Sequence, residues 1–335
     1  MRMATKNPTD HMNNENSSSE ASKTQKTSQI NKQTVLLGVA AILTLLIIIL
    51  AIAKIVSPYK TVHFSDPQDV SDYIRSYFCI IHAGGQLTGA DGKNYTYTNS
   101  LDSLENMYLE GNRVVELDFA FTTDDKAVCL HRWSDTCYTN KRDNTNASLE
   151  GHPISYDEFM SVKINGYFAP MSLDDVLSFM EKHKDLVLIT DIKETFDENG
   201  VSNDEVTRLC TAISEKAPDL KNRIVIQIYR EDQYDQVNAL GFENMIYTLY
   251  MLSEDEKLDA TSHLEFSAAH PLVGFTFEKK YLKNKDFYKA MKKTDVPLFV
   301  HTVSKKGKMN SLFNKKKVAG ICTNVVNNRR FKTGT

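Results

Sequence analysis

Short apolar segments alternate with amphipathic, helix-like segments along most of this 335-residue chain. Nine strand-like segments lie between residues 77 and 324, and several are continuous apolar runs. Such runs are typical of strands buried on both faces, as in a parallel sheet. Strands that alternate with helices over about 265 residues predict a (β/α)8 TIM barrel, which is an α/β fold. Since such a barrel has eight strands, one of the nine segments would be an accessory strand. We assign this barrel to residues 77–335.

A long uncharged stretch precedes the barrel. Lys32 and Lys54 bracket 21 uncharged residues, which as a helix would span roughly 30 Å, the thickness of a hydrocarbon core. We predict a transmembrane helix at 34–56, because a buried core helix would contain interspersed polar positions. Residues 1–33 are polar and nearly lack large apolar side chains, so we expect a disordered tail. Residues 57–76 would form a linker with an N-terminal helix.

Positive charges flank the predicted membrane span unequally. Five basic residues precede it, whereas Lys54 and Lys60 are the nearest basic residues beyond it. This asymmetry favours a cytoplasmic N-terminus and an extracellular catalytic domain at the cell membrane. Ala51-Ile52-Ala53 would also suit a signal peptidase, but the length of the polar tail favours an uncleaved anchor.

Charge and motifs exclude several classes of function. Five of the 40 basic and three of the 43 acidic residues lie in the first 33 positions, so the remaining chain has a net charge of −5. It contains no long basic run, which argues against a nucleic-acid partner. No GxGxxG or GxxxxGK[ST] pattern occurs, which argues against a nucleotide cofactor. The five cysteines form no CxxC pair, so zinc is not indicated, and one disulfide is left open.

Ionisable side chains stand where the apolar strands end, and a TIM barrel carries its active site at that end of its strands. His82 ends the first strand. Glu116 and Asp118 share one face of the second strand, because side chains two residues apart point the same way. Asp191 and Lys193 share one face of a later strand for the same reason. These side chains are therefore candidates for a common site.

A hairpin is expected to bring His131 to the same place. The link after Phe119 is too short to contain a helix, and a turn at Asp124-Asp125 would place Asp118 nearly opposite His131. Taken singly, each candidate has an ordinary structural explanation, such as a hydrogen-bonded histidine or a surface salt bridge. Together they place three carboxylates, two histidines and a lysine at strand ends, where unpaired polar groups are costly unless a metal or a partner is present.

Several segments resemble the glycerophosphodiester phosphodiesterase family in order and spacing, namely IHAGG, YTNSLDSLENMYLEGNRVVELDFAFTTDDKAVCLHRW, PMSLDDVL, LITDIK, FVHTV and VAGICTN. This family belongs with the phosphatidylinositol-specific phospholipase C-like TIM barrels. The resemblance covers residues 78–324 and implies a phosphoric diester hydrolase. It assigns three roles to six residues: general acid/base catalysis to His82 and His131, metal coordination to Glu116, Asp118 and Asp191, and phosphate contact to Lys193.

Some positions depart from the family pattern. Ala83 and Arg132 follow the two histidines where the family has arginine and aspartate. Thr98, His301 and Asn324 replace an acidic residue, a tryptophan and an aspartate. These changes lie at the substrate-facing rim, so they bear on specificity more than on chemistry. Further phosphate contacts would then come from Asn99, Arg132 and the backbone of Gly84 and Gly85.

The expected chemistry needs one divalent ion and two proton carriers. Carboxylate ligands without cysteine select a hard cation, so we expect Mg²⁺ or Ca²⁺. Imidazoles exchange protons near neutral pH, and we predict His82 as the base and His131 as the acid. The attacking group would be water or a substrate hydroxyl, which leaves hydrolysis and a phospholipase C-type cyclising lyase open. The substrate would be a glycerophosphodiester, a lipid headgroup or a cell-envelope polymer. A catalytically silent barrel that binds a phosphorylated glycan or lipid is the alternative.

Overall fold

The chain divides into two units, Met1–Tyr59 and Lys60–Thr335. The structure, a computed structural model, describes residues 35–45, 61–134, 138–139, 146–147, 152–195, 202–316 and 318–327.

In the first unit, residues 35–45 form a helix whose large apolar side chains are exposed, as at Leu36 and Leu37. No helix within the described ranges has both the length and the apolar character that a membrane crossing requires. The remainder of the predicted span at 34–56, and the tail at 1–33, lie outside the described residues. The predicted anchor and tail therefore stay predictions.

The second unit contains a closed barrel of eight parallel strands. Its first strand pairs with both the second and the last, which closes the sheet. This arrangement confirms the predicted TIM barrel. The strands are β1 (Cys79–Ile81), β2 (Val114–Phe121), β3 (Val187–Ile192), β4 (Ile224–Ile228), β5 (Met245–Thr248), β6 (Gly274–Glu278), β7 (Leu298–His301) and β8 (Gly320–Thr323).

The ninth strand-like segment is an accessory strand. Ala127–Cys129 runs antiparallel to β2, with Phe119 opposite Cys129. The Leu130 N–H donates to the Asp118 carbonyl at 3.0 Å. The predicted hairpin is therefore present, and the residue opposite Asp118 precedes His131 by one position.

Helices cover the outside of the barrel, and some of them begin at an N-cap residue whose side chain hydrogen-bonds to the first turn. Ser172 accepts a hydrogen bond from the Asp175 N–H at 3.2 Å, and the Asp175 carboxylate accepts one from the Ser172 N–H at 2.9 Å. This reciprocal capping box fixes the start of its helix. The α-helices are Pro67–Tyr77, Leu101–Leu109, Tyr156–Ser161, Leu173–Lys182, Glu205–Lys216, Gln233–Ala239, Glu254–Leu258, Ala260–Ala269, Lys285–Met291 and Lys306–Ser311.

Two layers of apolar side chains stabilise the barrel. One lies between the sheet and the surrounding helices, and the other fills the N-terminal half of the barrel interior. Each fully buried Val, Ile or Phe contributes about 1.5–3 kcal/mol. Polar side chains are left for the opposite mouth. The interior layer contains Ile80, Val114, Val187, Ile189, Val225, Ile246, Val273 and Phe299.

The described cysteines, Cys79, Cys129, Cys210 and Cys322, are free and buried. Cys137 lies outside the described residues. No disulfide therefore joins any two of the described cysteines.

Candidate active site

Three carboxylates meet at the C-terminal mouth of the barrel. Glu116 and Asp118 project inward from β2, and Asp118 lies level with Asp191 on the neighbouring strand β3. One oxygen from each lies within 4.8 Å of the others. The three residues are only 3%, 2% and 7% exposed, respectively. Parallel strand register thus gathers the three predicted metal ligands at one buried point.

Burial and mutual repulsion govern the charge of this cluster. Burial first, and then the neighbouring carboxylates, raise the pKa of Glu116 well above its ordinary value. Burial also raises the pKa of Asp118, with Asp191 adding to it. Burial opposes ionisation of Asp191 as well, but the Lys193 ammonium outweighs it and lowers the pKa of Asp191. Like charges this close ionise together only when cations neutralise them.

Lys193 supplies one positive charge. Its ammonium donates to Asp191 Oδ2 at 2.6 Å and lies 4.0 Å from Asp118 Oδ1. The pKa of Lys193 is raised by Asp191 although burial opposes this. One ammonium does not balance three carboxylates, so full ionisation of the cluster needs a further cation.

The oxygen atoms of the cluster fit a divalent ion. Glu116 Oε2 accepts from the Ala83 N–H at 2.8 Å, and Asp118 Oδ2 accepts from the Asn99 amide at 2.8 Å. Glu116 Oε1 and Asp118 Oδ1 are buried and lack a hydrogen-bond partner among the described residues. A buried carboxylate oxygen needs such a partner or a metal. The all-oxygen donor set suits a hard cation.

Two tyrosines fix Asp191. Its Oδ1 accepts from Tyr250 OH at 2.8 Å and from Tyr229 OH. Lys193 also donates to Tyr250 OH, at 2.8 Å. Sequence reasoning missed both tyrosines, although Tyr229 follows β4 directly and Tyr250 follows β5 closely. Position after a strand, the signal used for His82, would have identified them.

Both predicted catalytic histidines lie at this mouth, next to the ring of Tyr97. The Tyr97 ring centroid lies 4.6 Å from that of His82 and 4.9 Å from that of His131. Tyr97 has a φ of 57° and is 38% exposed. Burial, followed by the charges of Asp118 and Glu116, raises the pKa of Tyr97. The sequence analysis did not identify this tyrosine.

The first histidine is oriented by the last strand. His82 Nδ1 lies 2.9 Å from Asn324 Oδ1. An amide oxygen only accepts, so the imidazole donates from Nδ1 and leaves Nε2 as an acceptor. Asn324, which replaces the aspartate usual at this position, therefore still orients His82.

The second histidine contacts the residue that follows it. Arg132 Nε donates to His131 Nδ1 at 3.2 Å, the shorter of two contacts between the guanidinium and that ring. Arg132 is exposed. The predicted phosphate contact of Arg132 stays a prediction, and its observed contact is with the imidazole.

The glycines after His82 have an internal packing role. Gly84 and Gly85 have φ of 74° and 96°, a region that favours glycine. An added Cβ would overlap Ser103 at Gly84 and Val326 at Gly85. The Gly85 N–H donates to the His82 carbonyl at 2.8 Å. Close protein packing thus explains both glycines, and their predicted phosphate contacts stay predictions.

A cavity of about 630 Å³ opens beside the histidine and lysine side chains. His131, Arg132 and Lys193 line one part of it, and Phe121 and Trp133 contribute apolar surface. Its volume lies in the range of small-molecule sites.

Comparisons with known proteins agree with this geometry. The sequence profile of the Glycerophosphoryl diester phosphodiesterase family matches residues 89–328. No curated protein matches the chain significantly. Solved structures of three glycerophosphodiester phosphodiesterases are similar. The structure from Parabacteroides distasonis is 18% identical, with a TM-score of 0.53 over 74% of this chain and 93% of that chain. The structure from Thermotoga maritima is 16% identical, with a TM-score of 0.51 over 75% of this chain and 95% of that chain. The structure from Agrobacterium tumefaciens is 12% identical, with a TM-score of 0.52 over 74% of this chain and 96% of that chain.

Identities this low show a shared barrel fold, whereas the profile shows the family. The matched range spans more than half of the chain. It contains Glu116, Asp118, His131 and Asp191, and it begins seven residues after His82. The chain therefore belongs to the glycerophosphoryl diester phosphodiesterase family and is a phosphoric diester hydrolase.

Proposed function

We propose that this protein is a membrane-anchored, metal-dependent phosphodiesterase that hydrolyses a glycerophosphodiester or a related diester by two-histidine acid/base catalysis. One observation carries the proposal. Three buried carboxylates, two of them with an unpartnered oxygen, lie at the barrel mouth that holds His82 and His131. A purely structural cluster would have little use for such a costly arrangement.

Glu116, Asp118 and Asp191 would hold the ion, for which Mg²⁺ and Ca²⁺ are the candidates. When bound, a divalent ion supplies positive charge that stabilises the phosphate oxygens during displacement. Lys193 is placed to add a second cation at the phosphate, since its ammonium already lies against Asp191.

The hydrogen bond of His82 supports a direction for proton transfer. His82 donates from Nδ1 to Asn324, so its Nε2 is free to accept a proton from the attacking hydroxyl. Both ring nitrogens of His131 lie against the Arg132 guanidinium, at 3.2 and 3.5 Å, so this contact fixes no tautomer, and His131 takes the acid role as the second histidine of the pair. We therefore propose His82 as the general base and His131 as the general acid.

Phosphorus NMR of the reaction tests the proposal and identifies the product. The full chain is incubated with glycerophosphocholine, glycerophosphoglycerol and bis(p-nitrophenyl) phosphate, in EDTA and after restoring Mg²⁺ or Ca²⁺. Hydrolysis gives a phosphomonoester signal that depends on the metal. A cyclic phosphate signal instead indicates the phospholipase C-type lyase. Failure to cleave any diester with either metal refutes the enzyme and supports the silent, ligand-binding barrel.

The membrane anchor and the orientation are part of the same proposal. The 21 uncharged residues and the excess of basic residues before them support a span at 34–56 with a cytoplasmic N-terminus and an extracellular barrel. Alkaline extraction and protease shaving of intact cells test this. We expect the chain to stay with the membrane pellet and the barrel to be digested from outside. Release by alkali, or protection of the barrel in intact cells, would contradict the anchor or its orientation.

A further inference from the structure

A second cavity, of about 570 Å³, lies among the loops that follow β3, β4 and β5. Tyr229 and Tyr247 contribute aromatic surface to it, and Met251 contributes a thioether. Of its side chains, the site described above involves only Tyr229, whose hydroxyl donates to Asp191. A cavity of this volume suits a small organic molecule better than a bare ion.

The charged side chains that line this cavity are mainly acidic. Among the described residues of the lining, Arg230 is the one cation, and it already pairs with Asp232 at 3.0 Å. Burial lowers the pKa of His263, so this imidazole adds no positive charge. The excess of negative charge favours a cationic ligand. The carboxylates of the lining are those of Glu194, Glu231, Glu256 and Asp259.

Tyr247 presents an unpartnered polar group to the same cavity. The residue is 2% exposed, and its hydroxyl makes no hydrogen bond with any part of the chain that the structure describes. Burial, followed by the charges of Glu231 and Glu256, raises the pKa of Tyr247, so the hydroxyl lies near two carboxylates of the lining. A buried phenol normally has a hydrogen-bond partner. A ligand in the cavity would supply one.

The acidic side chains of the lining are not arranged around a metal ion. Within the described ranges, the one group of acidic residues whose ligand atoms come within 4.8 Å of one another is the cluster at the barrel mouth. Asp259 Oδ1 is used as a helix cap, since it accepts from the N–H groups of Thr261 and Ser262 at 3.1 Å each. Glu231 is exposed and accepts one long hydrogen bond, 3.4 Å, from Ser262. The Glu231 carboxylate therefore has capacity for a ligand that carries its own N–H groups.

We propose that this cavity binds a primary ammonium group, with the Glu231 carboxylate as the counter-charge and the Tyr247 hydroxyl oxygen as an acceptor. A primary ammonium carries three N–H donors and no acceptor, which complements a lining of carboxylate and phenol oxygens. Tyrosine rings also attract cations through their faces. The inference does not depend on the proposed phosphodiesterase function, because binding is measured without turnover.

Calorimetric titration of two probes tests the site. n-Butylammonium and 1-butanol have the same carbon chain, and only the first is charged. Each is titrated into the full chain with saturating Mg²⁺, so that the metal ion neutralises the carboxylate cluster at the mouth. n-Butylammonium should bind one site per chain at least tenfold more tightly than 1-butanol, on the scale of one charge interaction. Equal affinity of the two probes, or no saturable binding of n-butylammonium, overturns the proposal.

Two substitutions locate the bound ammonium in this cavity. Tyr247→Phe removes only the hydroxyl, and Glu231→Gln removes the charge at nearly constant volume. Each should weaken n-butylammonium binding by about threefold to tenfold. Raising the salt concentration should weaken binding to the wild type more than to Glu231→Gln. Wild-type affinity in both variants contradicts the assignment of the site.

Matched controls separate a binding role from a structural one. Tyr234→Phe removes a phenol hydroxyl that donates to the Pro271 carbonyl at 3.2 Å, and Glu265→Gln removes an exposed carboxylate outside the cavity lining. Both controls should keep the wild-type affinity. The thermal midpoint should stay unchanged or rise in Tyr247→Phe, whose hydroxyl lacks a partner, and should fall in Tyr234→Phe. A lower midpoint in Tyr247→Phe with unchanged affinity indicates a structural role and overturns the proposal.

Competition experiments identify the source of the ammonium, which is either a free amine or the amino alcohol of a diester. If it belongs to the diester, n-butylammonium should raise the KM for glycerophosphoethanolamine and leave that for glycerophosphoglycerol unchanged. If a free amine occupies the cavity, the two diesters should respond alike. Either result supports the site, whereas an equal effect of 1-butanol contradicts it. Failure to cleave any diester would refute the proposed function and leave the measured amine binding intact.

Discussion

Asn99 and Asp118 hold each other by two reciprocal hydrogen bonds. The Asn99 amide donates to Asp118 Oδ2 at 2.8 Å, and the Asn99 side-chain carbonyl accepts from the Asp118 N–H at 3.1 Å. The pair joins the loop after β1 to a candidate metal ligand on β2. Asn99 is buried with a φ of 44°. The Asn99 amide therefore occupies Asp118 Oδ2 with a hydrogen bond and leaves Asp118 Oδ1 available to the cluster.

Asn99→Ala should weaken metal binding without abolishing the fold. Partners that orient a metal ligand typically contribute 10–100-fold in affinity, so we expect the Kd for Mg²⁺ or Ca²⁺ to rise by that factor. Isothermal titration calorimetry measures it. Asn238→Ala, at an exposed helix position, is the control and should keep the wild-type Kd. Equal affinity of Asn99→Ala and wild type would show that Asn99 does not position the ligand.

The raised pKa values of Glu116 and Asp118 should contribute a loss of stability in the metal-free protein as the pH rises. Burial raises the pKa of Glu116 and of Asp118 above their ordinary values of 4.5 and 3.8. Above those values the folded state binds more protons than the unfolded chain, so the free energy of unfolding falls until the raised pKa is passed. The slope is at most about 1.4 kcal/mol per pH unit for one group.

Denaturant unfolding in EDTA between pH 5 and 8 measures this slope. Saturating Mg²⁺ or Ca²⁺ should reduce it, because a bound cation favours ionised carboxylates. Glu116→Gln should reduce the same slope of unfolding free energy with pH in the absence of metal. An identical pH dependence in wild type and Glu116→Gln would contradict the assigned direction of the Glu116 shift. The comparison is needed because burial lowers the pKa of His183, His263 and His301, which adds a rise in stability with pH to both proteins.

Lys193→Met should separate metal binding from turnover. The ammonium lies 2.6 Å from Asp191 and competes for the same negative charge. Its removal should tighten divalent metal binding by about tenfold, on the scale of one charge interaction at a partly buried site. The kcat/KM for a phosphodiester should fall at least 100-fold if Lys193 contacts the phosphate.

Lys184→Met, at an exposed position before β3, is the matched control for both measurements and should change neither. Weaker metal binding by Lys193→Met would instead indicate that Lys193 holds Asp191 in place for the ion.

Alanine variants of the two histidines should differ in their dependence on the leaving group. His82→Ala should lower kcat by about 10²–10⁴-fold for every diester, since the attacking hydroxyl always loses a proton. His131→Ala should be as harmful for an alkyl diester but much milder for bis(p-nitrophenyl) phosphate, whose leaving group needs no protonation. Stopped-flow or colorimetric rates give both values.

Exposed His152 provides the control, and His152→Ala should retain wild-type rates. A milder effect of His82→Ala on the aryl diester would exchange the acid and base assignments. Wild-type turnover in both variants would remove the histidines from the mechanism.

The barrel could be predicted because its strands are apolar on both faces. Glu116, Asp118 and Asp191 stood out as carboxylates within such strands. Helices Glu254–Leu258 and Ala260–Ala269 were missed, because the first is short and the apolar side chains of the second do not concentrate on one face. In the same region the apolar run extends over residues 244–252, but β5 ends at Thr248 and a 3-10 turn follows.

The side chains that surround the carboxylates could be read only in part from the sequence. Tyr229 and Tyr250 follow strands closely, whereas Tyr97 looks like a surface aromatic until the loop paths are known. Thr276 and Glu278 on β6 share the difficulty of Tyr97, because a buried polar atom without a partner is a property of the packed barrel. Sequence patterns therefore located the ligands, and the three-dimensional arrangement identified what holds them.

The central claim is that one ion bound by Glu116, Asp118 and Asp191 enables phosphodiester hydrolysis. The most direct measurement follows glycerophosphodiester turnover and ion occupancy in the same samples as Mg²⁺ or Ca²⁺ is titrated into metal-free protein. The account predicts that the rate rises in proportion to occupancy of a single site per chain, and that Asp118→Asn shifts both curves together to higher ion concentration. Full turnover with the site empty would contradict it.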